Sequence, residues 1–115
     1  MIYLASPYSH PDPQVKRDRF EAACRIAADL MNAGEIVFSP IAHTHPIAIA
    51  GELPGDWQYW ERYDREILEM IAAAGGRLVV AMLDGWETSK GIAAECEIAR
   101  GLGMGVEYLE GGPQC

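Results

Sequence analysis

Glu95 closes the stretch "DGWETSKGIAAE", residues 84–95, four positions beyond Gly91. On a helix those two residues share a face. Glycine costs a helix interior roughly 1 kcal/mol relative to alanine, and room for a ligand above the Glu95 carboxylate is a reason to bear that cost. A carboxylate facing such a space can attack an electrophilic carbon or exchange a proton. The plainer reading is a solvated helix glutamate, a role that suits Glu97 better, since it points elsewhere. Ser89, Lys90 and Gly91 open the same helix, where free N–H groups and the helix dipole favour an anion. Ser89 adds a hydroxyl and Lys90 a positive charge, although Ser89 is equally well suited to be an ordinary N-cap.

Other residues can converge on the same place. Asp84 ends an apolar run and Asp64 lies on the preceding helical segment, so both can approach Glu95. Clustered carboxylates push their pKa values apart, which gives one nucleophile and one proton donor. Taken singly, Asp84 is a turn residue and Asp64 a surface charge. Tyr3 and Tyr8 each carry a phenol able to orient a carboxylate or a sugar, or to serve as core with one satisfied hydroxyl. Ser6, Ser9 and His10 give the N-terminal loop hydrogen-bonding capacity. Trp86 is placed to cover a flat base, whereas Trp57 and Trp60 read as packing or a subunit contact. Lys16, Arg17 and Arg19 either reach a phosphate or form a solvated charge run. His43 and His45, in "HTH", lack a third ligand at recognisable spacing, so no metal and no cofactor is expected.

The elements that must position these groups follow from the apolar pattern. "MIYLA", "EIVFSP", "RLVVAML" and "VEYL" read as buried strands. Helices are expected from Pro13 to about Ala33, from an Asp56 cap to about Ala74, and over "SKGIAAECEIARGLG". The segment "IAHTHPIAIAGELPG", broken by proline and glycine, is expected to be a loop with at most one short helical turn. Continuously apolar strands alternating with helices predict a three-layer α/β/α fold around a mainly parallel sheet of four to five strands. Right-handed crossovers favour the flavodoxin-like order 2-1-3-4. Ligands in such sheets bind outside the carboxyl ends of strands 1 and 3, where the winding reverses. The loops there are "SPYSH" and "DGWETS", the two richest in polar chemistry.

The 115 residues suit one domain, read as 1–110 with a polar tail at 111–115. A net charge of −8 argues against polymeric nucleic acid as a partner. Three cysteines, Cys24, Cys96 and Cys115, have no motif spacing and suit a reducing compartment. No signal peptide and no span of ~20 apolar residues is visible, so a cytoplasmic protein without membrane association is expected.

"IYLASPYS" together with "DGWETSKGIAAECEIA" resembles the nucleoside 2-deoxyribosyltransferase-like superfamily, in particular its small bacterial and phage members. The likeness in strand–helix order covers nearly the whole chain, and D-G-x-x-x-S-x-G-x-x-x-E is its specific part. The resemblance implies that Glu95 attacks the anomeric carbon of a deoxyribosyl group, that Tyr3 contacts this nucleophile, and that Asp64 or Asp84 stands near the leaving base. The transferases carry an aspartate six residues before the nucleophile. Ser89 at that position is similar instead to the 2′-deoxynucleoside 5′-phosphate N-hydrolases, which implies a phosphorylated substrate. The resemblance also implies a homo-oligomer whose subunits share sites. The expected activity is hydrolysis or transfer at the N-glycosidic bond of a nucleotide or nucleoside. The rivals are a nucleotide-binding sensor without turnover, a purely structural oligomer, and an enzyme acting on another ribosyl compound.

Overall fold

The computed structural model describes residues 1–110. The expected polar tail lies outside the described residues. Four parallel strands form one sheet in the order β2-β1-β3-β4. They are β1 (Ile2–Ala5), β2 (Val37–Phe38), β3 (Arg77–Met82) and β4 (Val106–Glu110). The helices are α1 (Pro13–Asn32), α2 (Pro40–Gly51), α3 (Trp57–Ala73) and α4 (Lys90–Gly101), with a single 3-10 turn at Trp86–Thr88. The α/β class, the parallel sheet and its order are those expected, with four strands.

Strand β1 lies at the centre, pairing Ile2 with Val37 on one side and Ile2 through Ala5 with Arg77 through Val80 on the other. Because side chains alternate along a strand, its two faces feed two cores. Ile2 and Leu4 join Val79, Ala81 and the α1 residue Ala27. Tyr3 and Ala5 join Leu78 and Val80 beneath Leu68 and Ile71 of α3 and Ile92, Cys96 and Ala99 of α4. The inner faces of the last two helices thus keep the i, i+3, i+4, i+7 spacing that a buried stripe requires. Asp64 and Glu95 stand within those stripes and are buried.

Helix α2 corrects the expectation of a loop. Ser39 caps it, its hydroxyl accepting from Ala42 N at 3.1 Å, and Pro40 occupies the first turn. Pro46 sits inside and the helix continues through it to Gly51. A proline removes one intrahelical bond and crowds the preceding turn. Packing of α2 against α1 and β1 outweighs that cost. The chain leaves α2 through Glu52 in the left-handed conformation, φ 55°. No helix among the described residues is long and apolar enough to cross a membrane.

Candidate active site

A cavity of about 420 Å³ opens at the carboxyl ends of β1 and β3. That size suits a small-molecule ligand. Its floor is chemical. The Tyr3 hydroxyl donates to Glu95 Oε2 at 2.5 Å, a short bond joining the centre of the sheet to α4. Glu95 is 6% exposed and lines the cavity. Asp64, 7% exposed, enters the same cavity from α3. Its Oδ1 has no hydrogen-bond partner among the described residues, and neither has the buried hydroxyl of Ser6, which also lines the cavity. A buried polar atom left unpaired costs about 1–3 kcal/mol, so two at one cavity mark a surface made for polar contact.

Burial sets the ionisation of this floor. It lifts the Asp64 carboxyl to about 7. It lifts Glu95 to about 8, with the Asp64 charge adding to the rise and the Tyr3 hydrogen bond opposing it. The phenol of Tyr3 is pushed well above its ordinary value by burial and by both carboxylates, so it remains a donor. Interacting carboxyls titrate as a unit. Between about 7 and 8 the pair holds one proton. The higher value belongs to Glu95, so the shared proton rests mainly there, and the Tyr3 hydroxyl stabilises the less populated arrangement with the charge on Glu95 and the proton on Asp64.

The rim gathers hydrogen-bond donors and positive side chains despite the acidic chain. Ser89 caps α4, accepting from Ile92 N at 3.2 Å, so the plainer reading of this serine is also true of it. Its hydroxyl proton stays available. The amides of Lys90 and Gly91, in the first turn, have no intrahelical acceptor, and Ser89, Lys90 and Gly91 all line the cavity. A Cβ built on Gly91 would meet Ser89 Oγ at 3.8 Å and the Trp57 ring at 3.9 Å, both ordinary contacts. The protein's own packing therefore does not demand a glycine there. Arg19 completes the rim. Its Nη1 donates to the Ser9 carbonyl at 2.9 Å, and its guanidinium passes so close to Gly85 that a Cβ there would lie 2.4 Å from Nη2. Gly85 also has φ 88°, a conformation open chiefly to glycine.

Of the residues singled out in the sequence, Glu95, Asp64, Ser6, Tyr8, Ser9, Ser89, Lys90 and Gly91 line this one cavity, with Tyr3 directly beneath. Asp84, Trp86, Lys16, Arg17 and His43 are not among the residues lining the cavity. Asp84 lines a separate depression with Asp18, Met82 and Leu83, and the next residue, Gly85, turns the chain with φ 88°. Trp86 packs against the core beside Tyr108, ring centroids 5.8 Å apart, and does not reach the cavity. Trp57 and Trp60, which the sequence suggested as packing or a subunit contact, line the cavity together with the rings of Tyr8 and His45. Arg19, read within a charge run, stands four and eight residues before the buried Ala23 and Ala27, and that phase is the signal for its inward position. The two imidazoles of "HTH" diverge, His43 toward Tyr63 and His45 toward Phe20 and Tyr8. Among the described residues no group of three or more His, Cys, Asp and Glu side chains is placed to hold a metal ion.

Fold and site together define an open-sheet α/β protein with a buried carboxylate pair and a donor-rich rim at the strand ends. The model of a family described as a domain of unknown function (DUF1937) matches residues 1–110, and the chain belongs to that family. No curated protein matches the chain.

Proposed function

We propose that the protein cleaves the N-glycosidic bond of a nucleotide or nucleoside, with Glu95 as nucleophile and Asp64 as acid and base. The observation that carries this reading is the short Tyr3–Glu95 hydrogen bond at the floor of a cavity that Asp64 also enters. The Glu95 carboxylate attacks the anomeric carbon as the bond from that carbon to the base nitrogen breaks. The bonding electron pair leaves with the base, which takes the Asp64 proton. Water then attacks the same carbon and releases the Glu95 carboxylate, while the Asp64 carboxylate takes the water proton. If a second base replaces water, the outcome is transfer. A nucleophile close to its acid is the arrangement of retaining glycosidases. Ser89, Lys90 and Arg19 would hold a phosphate on the sugar, and that remote binding energy positions the reacting carbon. Asp84 has no part in this scheme, and Trp57 replaces Trp86 as the surface for a flat base. The resemblance to the nucleoside 2-deoxyribosyltransferase-like superfamily points the same way.

The deciding assay is release of free base from a panel of nucleosides and deoxynucleoside 5′-monophosphates, together with mass spectrometry after a 2-fluoro sugar analogue. Base release and an adduct on Glu95 are expected. Absence of both would sink the enzymatic reading. One observation favours a second reading, a binding module without turnover: a carboxyl held at about 8 is mostly neutral at pH 7 and can act as a hydrogen-bond donor to a ligand. Glu95→Gln separates the two. It abolishes turnover and keeps ligand binding in the enzyme, whereas in a binding module there is no turnover to lose.

A further inference from the structure

The reaction outlined above leaves several polar groups of the cavity without a task, His45 among them. His45 lines the cavity from α2 and is 9% exposed. Its ring stacks on Phe20 with centroids 4.3 Å apart and 22° between planes. Its Nδ1 lies 2.7 Å from the Tyr8 hydroxyl. That phenol has a proton to give, so the pairing is complete when Tyr8 donates and Nδ1 accepts, which places the imidazole proton on Nε2. Burial, with Arg17 and Lys16 nearby, lowers the His45 pKa and keeps the ring neutral. The only hydrogen bond of the ring among the described residues is the one at Nδ1, which leaves Nε2 free to serve a ligand. One residue earlier in the chain, Thr44 gives its hydroxyl proton to the Pro40 carbonyl at 2.8 Å, so toward the cavity its oxygen can only accept. Ile41 and Ala48 flank the pair with apolar surface. A fixed donor and a fixed acceptor beside apolar surface suit the edge of a flat heterocycle, whose faces that surface can cover, whereas a phosphate, with acceptors alone, would leave the Thr44 oxygen unserved.

We propose that His45, fixed in orientation by Tyr8, meets the departing base at a second point besides Asp64, donating from Nε2 to a ring nitrogen or carbonyl oxygen while Thr44 accepts from a base N–H. This rests on the N-glycosidic reading and deepens it. As the bond to the sugar breaks, electron density builds on the base. A donor already in place stabilises that density without reorganising. His45 is then a catalytic residue, Tyr8 a positioning residue, and the leaving group a heterocycle bearing an acceptor atom. Helix α2 becomes the base-recognition element, opposite the anion rim of α4.

The test uses the full chain and the four common 2′-deoxynucleoside 5′-monophosphates. Nitrogen-15 spectra of His45 should show the proton on Nε2. Titration of these nucleotides into Glu95→Gln should move that resonance. For whichever nucleotide releases base, His45→Phe, which keeps the stack on Phe20, should lower kcat by on the order of 10² with a much smaller change in KM. His45→Gln, which retains a donor, should recover most of the loss. Tyr8→Phe should lower kcat less and leave His45 a mixture of tautomers. If base is released yet the Nε2 resonance stays still and His45→Phe turns over normally, the proposal is overturned while the glycosidic reading stands. If no nucleotide releases base yet the resonance moves, His45 is a base contact and the glycosidic reading fails. No release and no movement overturns both.

Discussion

Replacing Glu95 by glutamine should make the protein more stable, by an amount that depends on pH. In the folded chain the Glu95 carboxyl is held at about 8 by burial, against an ordinary value of 4.5. In the window between those values the folded state keeps a proton that the unfolded state has lost. Stability from this group is therefore full below the lower value and lost as pH rises through the upper one. Each pH unit inside the window corresponds to ~1.4 kcal/mol. Integrated from pH 5.5 to pH 8, the wild type loses ~3 kcal/mol through this residue. The glutamine side chain has no proton to lose, and Asp64 titrates in both proteins. The difference in unfolding free energy between variant and wild type should thus grow by ~3 kcal/mol between the two pH values, a relative Tm shift on the order of 10 °C. Urea unfolding of both proteins at pH 5.5 and pH 8 measures it directly. A pH-independent difference would show that Glu95 titrates as a solvated glutamate, and the carboxylate pair described above would lose its physical basis.

The remaining predictions use the same geometry. Turnover should follow a bell-shaped pH profile with its maximum between about 7 and 8, where the pair holds one proton, and Asp64→Asn should remove the alkaline limb. Gly91→Ala should leave Tm unchanged or slightly higher, since its Cβ makes only ordinary contacts, while weakening ligand binding by calorimetry; equal binding would mean that the space over α4 is not used. Gly85→Ala should destabilise by roughly 1–2 kcal/mol, because it combines left-handed strain with displacement of Arg19. Arg19→Ala should weaken binding of a nucleoside monophosphate more than that of the matching nucleoside, and equal losses would remove Arg19 from the anion rim.

What could be read from the chain depended on how much each residue's neighbours in sequence resemble its neighbours in space. β1 and β3 are continuous apolar runs because both faces of the sheet are covered, and such runs are visible without tertiary knowledge. Glu95 was legible from its i, i+4 spacing to Gly91 and Asp64 from its place on the helix before β3, whereas the burial of both is a product of packing. α2 was hidden because its signals conflict. Ser39 and Pro40 announce a helix, whereas Pro46 argues against one, and the deciding term is packing on α1, which no local pattern reports. The same limit explains Trp86 and Trp57. A tryptophan in a polar loop suggested a ligand surface and one on an amphipathic helix suggested core, but the 3-10 turn folds the first inward and the helix start exposes the second to the cavity.

Tyr3 belongs to two systems at once. Its ring is among the largest side chains wholly enclosed by the core, and its oxygen ends on the carboxyl of Glu95. A lineage that abandoned the chemistry could not let Glu95 drift to an aliphatic residue without stranding a phenolic proton in the interior. Relaxed selection should therefore change positions 3 and 95 only together, so a retained Tyr–Glu combination in related chains answers a demand of the core and is not by itself a sign of chemistry in use.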